Sequence, residues 1–280
     1  MTARPEAFVR LHGRDQKLTF GAVRPGLAPL LVVSGPGVAL SSMADYFAAW
    51  EDHFTVIHWD QPWGAPGDAP LTLDRLAADG IAVIEAALAH TGAAKLNVLG
   101  ISGGSVVGLK IAKSRPDLLS GYVGTGQFVN WSAQIAAGYT ACLPGAEELK
   151  AIGPPPWTDL ADMEVFSRIA GALTHSELQA LSRFRPAPAD HDPRARGMAA
   201  FSALWPELAA FDARTLGPDY ATPMFFLQGA KDRYSNTAEV ATFVASTTAP
   251  RLVVDILPEA GHSAFFLTEP MLERMRLYLT

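Results

Sequence analysis

The 280-residue sequence has a single cysteine, Cys142. One cysteine cannot staple its own chain, which excludes a disulfide scaffold and favours a reducing compartment. Runs of Lys or Arg are missing and the net charge is −6. A phosphate-binding face is therefore not expected, nor is nucleic acid as a partner. Long apolar runs are missing too. Leu30 to Val33 is typical, far short of the roughly 18 to 20 residues that span a membrane. The opening MTARPEAFVR has no basic stretch followed by an apolar one, so no signal peptide is expected. Repeats and low-complexity tracts do not occur. Together these absences predict a soluble, cytoplasmic protein with no membrane partner. The nearest approach to a metal cluster is Asp190, His191 and Asp192, which reads as a solvated turn in a proline-broken loop. Neither a metal nor a cofactor is expected.

What the sequence does have is apolar bulk, 49% of residues. That suffices for one domain with an inserted segment or for two small domains. Residues 7–12 and 17–23 read as strands around the turn His12-Gly13-Arg14-Asp15, and LLVVS at 30–34 reads as a buried strand. Ser41 or Ser42 is positioned to cap a helix running to about His53, and FTVIHWD at 54–60 is another strand. The Pro/Gly-rich loop 61–70 cannot be regular structure. Thr72 then caps a helix that Gly92 stops. Strand 95–100, helix 103–114 and strand 119–124 follow, and strands alternating with helices argue for a parallel sheet. The alternation breaks near Phe128 and resumes with strand 224–228, a helix near 237–246, strand 252–256 and a closing helix from about Ala264 to Leu279. The expected fold is α/β, an eight-stranded, mostly parallel sheet. Residues 1–127 and 216–280 form its core, and 128–215 form a helical cap inserted after strand six.

Chemistry gathers at three strand ends. Gly100-Ile101-Ser102-Gly103-Gly104 fits G-x-S-x-G between a predicted strand and a predicted helix. In that context the serine sits on a sharp turn with its Oγ exposed above the sheet, next to a helix N-terminus that favours negative charge. No Gly-Lys-Ser/Thr follows, so the run is not a phosphate loop, and the dinucleotide spacing also fails. Ser105, one turn on, reads as a packing residue. A serine hydroxyl needs an adjacent base. Of the seven histidines only His262 follows the last predicted strand, whereas His58 lies within a strand and reads as a packed core residue. Asp232 leaves the sheet in Gly229-Ala230-Lys231-Asp232, and the chain order Ser, Asp, His suits a nucleophile–acid–base set on this fold. Asp255 and Glu259 are the rival acids. An oxyanion needs two N–H donors. Gly103 is one candidate. Gly35 is the other, since Pro36 has no N–H.

These runs resemble α/β-hydrolases related to proline iminopeptidases. That group carries H-G-G-P-G, D-Q-R-G, a G-x-S-W-G-like elbow, and late G-x-x-D and G-H segments. The corresponding runs here are Val33 to Gly37, Asp60-Gln61-Pro62-Trp63, Gly100 to Gly104, Gly229 to Asp232 and Gly261-His262. The resemblance spans about 25–127 and 216–280. Departures are Val33-Ser34 for His-Gly, Pro62-Trp63 for Arg-Gly, and Gly103 where Trp is frequent. The resemblance implies a serine hydrolase of esters or amides, possessing in the peptidases a cap carboxylate that holds the substrate amine. The nearest match to the stretch supplying it is Trp205-Pro206-Glu207. Cap aromatics Phe128, Trp131, Trp157, Phe166, Phe184, Phe201 and Trp205, with Ser34 and Trp63 from the core, are candidates to line a pocket. An acyltransferase or thioesterase using the same three residues, and a non-catalytic ligand-binding member of the fold, stay open as alternatives.

Overall fold

A computed structural model describes residues 4–65, 69–157, 159–171, 173–182 and 193–279. Its eight strands are β1 (Glu6–Leu11), β2 (Arg14–Phe20), β3 (Ala28–Val33), β4 (Phe54–Trp59), β5 (Leu96–Ile101), β6 (Leu119–Thr125), β7 (Met224–Gly229) and β8 (Leu252–Leu257). They form one sheet in the order β1-β2-β4-β3-β5-β6-β7-β8. β2 is antiparallel to both its neighbours and the other pairings are parallel. β4, β5 and β7 are buried along their whole length because both faces are covered. Leu31 and Val33 face one hydrophobic cluster, whereas Leu30 and Val32 face the other. That is the two-residue period of a pleated strand.

Local chemistry accounts for the helices that frame the sheet. α1 (Leu73–Thr91) starts where the Thr72 side chain accepts the Arg75 N–H, 3.0 Å, and ends at Gly92 in the left-handed conformation. α2 (Gly103–Ser114) follows β5 directly. Among the described residues between β6 and β7 are five α-helices: α3 (Trp131–Cys142), α4 (Glu147–Ile152), α5 (Leu160–Ala170), α6 (His175–Ser182) and α7 (Pro193–Ala209). α8 (Thr237–Ala245) and α9 (Thr268–Leu279) complete the chain. No described helix is long and apolar enough to cross a membrane.

Two expected helices differ. Residues 40–52 form a 3-10 helix rather than an α-helix, and neither serine caps it. Ser41 instead gives its N–H and hydroxyl to Asp60, at 2.8 and 2.5 Å, so a long-range carboxylate competes successfully with the cap. The closing helix begins at Thr268, after a separate 3-10 turn at Ala264–Phe266. The Asp190-His191-Asp192 cluster and Phe184 lie outside the described residues.

His58 is fully buried in β4, with neither ring nitrogen hydrogen-bonded among the described residues. Burial, reinforced by the charge of Arg4, pushes its imidazole down to about 3. The unfolded chain therefore takes up a proton below about pH 6.5 that the native state refuses. Stability contributed by the neutral ring is complete above that pH and falls by about 1.4 kcal/mol per unit as the pH drops toward 3. Urea unfolding of the wild type and His58→Phe between about pH 7 and 4 checks this. The wild type should lose stability relative to the variant as the pH falls. Parallel curves would show that His58 titrates as freely in the fold as out of it.

Candidate active site

Ser102 closes the turn from β5 into α2 with φ 54° and ψ −129°. A non-glycine residue rarely holds such a positive φ, and the surrounding packing must enforce it. Two bonds do so locally: the Ser102 N–H donates to Thr125 O (3.1 Å) and the Ser105 N–H to Ser102 O (2.9 Å). A Cβ on Gly104 would lie 2.2 Å from the carbonyl oxygens of Val33 and Ser34. Only glycine lets α2 approach the loop after β3 so closely. A Cβ on Gly103 would sit 2.9 Å from Pro36, which explains why a bulky residue does not stand there.

The three predicted residues meet at the carboxyl ends of β5, β7 and β8. Ser102 Oγ is 2.8 Å from His262 Nε2, and His262 Nδ1 is 3.0 Å from Asp232 Oδ2. Asp232 is nearly inaccessible and is held from several sides. Its Oδ1 accepts the N–H groups of Tyr234 (2.7 Å) and Ser235 (3.0 Å), and its Oδ2 accepts the Ser235 hydroxyl at 2.5 Å. Burial alone would raise the Asp232 pKa, but the His262 charge and the hydrogen bonds from His262 and Ser235 outweigh it and hold it below the usual carboxylate value. The rival acids are engaged elsewhere, Asp255 with Tyr278 and Arg274 and Glu259 with Lys231.

The two expected N–H donors lie on neighbouring stretches of backbone, since a Cβ on Gly103 would sit 3.7 Å from Gly35 Cα. Gly103 opens α2, so its N–H belongs to the first turn, which has no acceptor within the helix. The buried Gln61 donates from Nε2 to Ser34 O, 2.8 Å. In a trans peptide the C=O and N–H point opposite ways, so this bond also fixes the direction of the Gly35 N–H.

The predicted pocket residues separate. Phe128 is the one beside the histidine, its ring centroid 5.7 Å from that of His262. Trp131 stacks on Phe128 and Trp205 packs edge-on to Trp131. Trp157 is buried against Tyr139 and Phe166, donating to Gly153 O. Trp63 lies under the Arg196 guanidinium of α7. Glu207 has its carboxylate at the start of α1, where it accepts the Leu73 N–H at 2.8 Å and meets the positive end of that helix. A cavity of about 770 Å³ opens between α5 and α7 against the loop after β3, lined by Pro36, Leu160, Met163, Glu164, Arg168 and Phe201 among others. None of Ser34, Trp63, Phe128, Trp131, Trp157, Trp205 and Glu207 lines it.

Sequence reasoning missed several residues that shape the site. Ser235, three positions after Asp232, has no motif to announce it. Tyr234 places its ring 4.9 Å from that of His262 and donates its hydroxyl to Ser167 O; burial pushes that phenol up to about 12. Ser105, read as packing, donates to Ser102 O at 2.5 Å and accepts the Phe128 N–H at 3.0 Å. Glu177 is fully buried, and one of its oxygens accepts the Gly261 N–H beside His262, 2.9 Å. Thr174-x-x-Glu177 fits a helix capping box, a signal that accounts for only its other oxygen.

Comparison with known proteins places the chain in a family. The family described as serine aminopeptidase, S33, matches residues 38–270. A probable aminopeptidase of Bacillus subtilis (strain 168), YbaC, is 28% identical over 234 residues, covering 73% of this chain and 74% of its own. Among solved structures, a proline iminopeptidase-related protein from Thermus thermophilus superposes with a TM-score of 0.69 at 20% identity, covering 99% of both chains. A thermophilic esterase from Thermogutta terrifontis gives 0.68 at 21%, covering 98% of both. At these identities the two superpositions establish the fold, an α/β-hydrolase.

Proposed function

The chain belongs to the serine aminopeptidase S33 family, and from that premise we propose that it cleaves an ester or amide bond of a small molecule through an acyl-enzyme, with aminopeptidase-like use of Ser102, His262 and Asp232. Ser102 Oγ attacks the acyl carbon while His262 Nε2 takes its proton. The imidazolium formed is stabilised by Asp232 and returns the proton to the leaving alcohol or amine. The N–H groups of Gly35 and Gly103 receive the oxyanion. Water, activated by His262, then hydrolyses the acyl-enzyme. The observation that carries this reading is the continuous hydrogen-bond line from Ser102 through His262 to an ionised, buried Asp232.

The division into a core (1–127 and 216–280) and a helical cap (128–215) is part of the proposal, with the α5–α7 cavity as the acyl side of the site. Glu164 is the carboxylate lining that cavity and replaces Glu207 as the partner of a substrate amine. A panel of amino-acid p-nitroanilides, their N-acetyl forms and simple p-nitrophenyl esters tests this. Free-amine substrates should be the best, and Glu164→Gln should raise their KM while leaving plain esters unchanged. Equal rates with and without the α-amine would remove the aminopeptidase part of the reading and leave an esterase.

A further inference from the structure

Between β6 and β7 one buried carboxyl group belongs to no catalytic step. Glu177, on α6, is fully buried. Its Oε2 accepts the Thr174 N–H at 2.7 Å, and its N–H returns to Thr174 Oγ1 at 3.3 Å. This reciprocal pair caps the start of α6. The capping box needs one carboxylate oxygen. The other, Oε1, accepts the Gly261 N–H at 2.9 Å, across 84 residues of sequence. Gly261 is bonded directly to His262. Thr174 adds a second tie, its hydroxyl donating to Glu259 O at 3.2 Å. Leu173, Ala180 and Leu181 of this segment pack on the apolar cluster that contains Ala264, Phe265 and Phe266, just past the histidine. The loop from Glu259 to Phe266 is therefore gripped by α6 on both sides of His262.

We infer that Glu177 is a positioning residue: the α6 capping box latches the His262 loop, so that seating of this helix and alignment of the base are one event. This rests on His262 being the base of the proposed reaction. A buried polar oxygen that loses its N–H donor costs the desolvation of that oxygen with nothing in return. Both donors must therefore stay in place while Glu177 stays buried. If α6 lifts, Oε1 leaves Gly261, and the Nε2-to-Ser102 line loses the backbone anchor nearest the ring.

Three readouts on the full chain test the latch: labelling rate of Ser102 by a fluorophosphonate, kcat and KM on a p-nitrophenyl ester, and the low-field proton resonance of His262 Nδ1–H. Glu177→Ala should slow labelling and kcat about tenfold to a hundredfold, leave KM little changed, and broaden or shift the resonance. Glu177→Gln should fall between, because its amide oxygen serves one N–H while its NH2 opposes the other. A cooperatively melting Glu177→Ala that labels at the wild-type rate with an unmoved resonance would overturn the inference. Should Glu177→Ala not fold, amide exchange in the wild type decides: Gly261 and Thr174 should exchange together, and a fast Gly261 beside a protected Thr174 would overturn it. A wild type that does not label at all would count against the hydrolase reading, while the exchange and resonance measurements would still decide the latch.

Discussion

Ser102→Ala is expected to lose kcat by on the order of 10⁵- to 10⁶-fold and to lose all labelling by a fluorophosphonate, with its fold intact. Removing the Oγ removes the atom that forms the acyl bond, so no partial mechanism through Ser102 survives. The methyl that remains fits the space the hydroxyl occupied. Ser102 is tied by its backbone to Thr125 and Ser105, and those bonds do not involve the hydroxyl. Thermal melting should therefore change little. Any relief of strain would have to come through the backbone, and Ala and Ser tolerate φ 54° about equally poorly. A variant that still labels would place the nucleophile elsewhere and would sink the assignment. Neighbouring Ser105 is already occupied, donating to Ser102 O and accepting from Phe128.

Asp232→Asn is expected to cost about 10⁴-fold in kcat although it changes one atom. The reason lies in the bonds around the carboxylate. Oδ1 receives two backbone N–H groups, from Tyr234 and Ser235. In the variant the amide oxygen must occupy that position, because an NH2 there would face two donors. The NH2 then takes the place of Oδ2 and points at His262 Nδ1, 3.0 Å away. It can only donate, so His262 must accept at Nδ1 and carry its proton on Nε2. That tautomer cannot take the proton of Ser102. Buried charge is also lost beside the imidazolium. The check is kcat across pH together with the Nδ1–H resonance, which should vanish. An Asp232→Asn enzyme within tenfold of wild type would mean that another acid orients the base, and neither Asp255 nor Glu259 is placed to do so.

Much of the site was legible from local pattern. G-x-S-x-G between a strand and a helix is a steric requirement written into adjacent residues, and the Gly104 clearance of 2.2 Å shows how strict it is. Thr72 and Gly92 bounded α1 because caps act within one turn. The pattern failed where a distant partner displaced a local one. Ser41 capped nothing because Asp60 took both its donors. Glu207 found the start of α1, more than a hundred residues back. The cap aromatics divided: Phe201 lines the cavity with other residues of α5 and α7, whereas Trp157 and Trp131 went into the interior.

By itself, then, the sequence determined the strand–helix alternation, the eight-stranded, mostly parallel architecture and the order Ser102, Asp232, His262, because each depends on periodicity, capping and turns within a few residues. Tertiary structure decided the rest. It set the 2.8 and 3.0 Å contacts that join three strand ends, the extra hydroxyl of Ser235 on the acid, and the reach of Glu177 to Gly261. Those contacts link residues 3 to 160 positions apart. They exist because the sheet brings strand ends together and because buried polar groups must find partners wherever packing has put them.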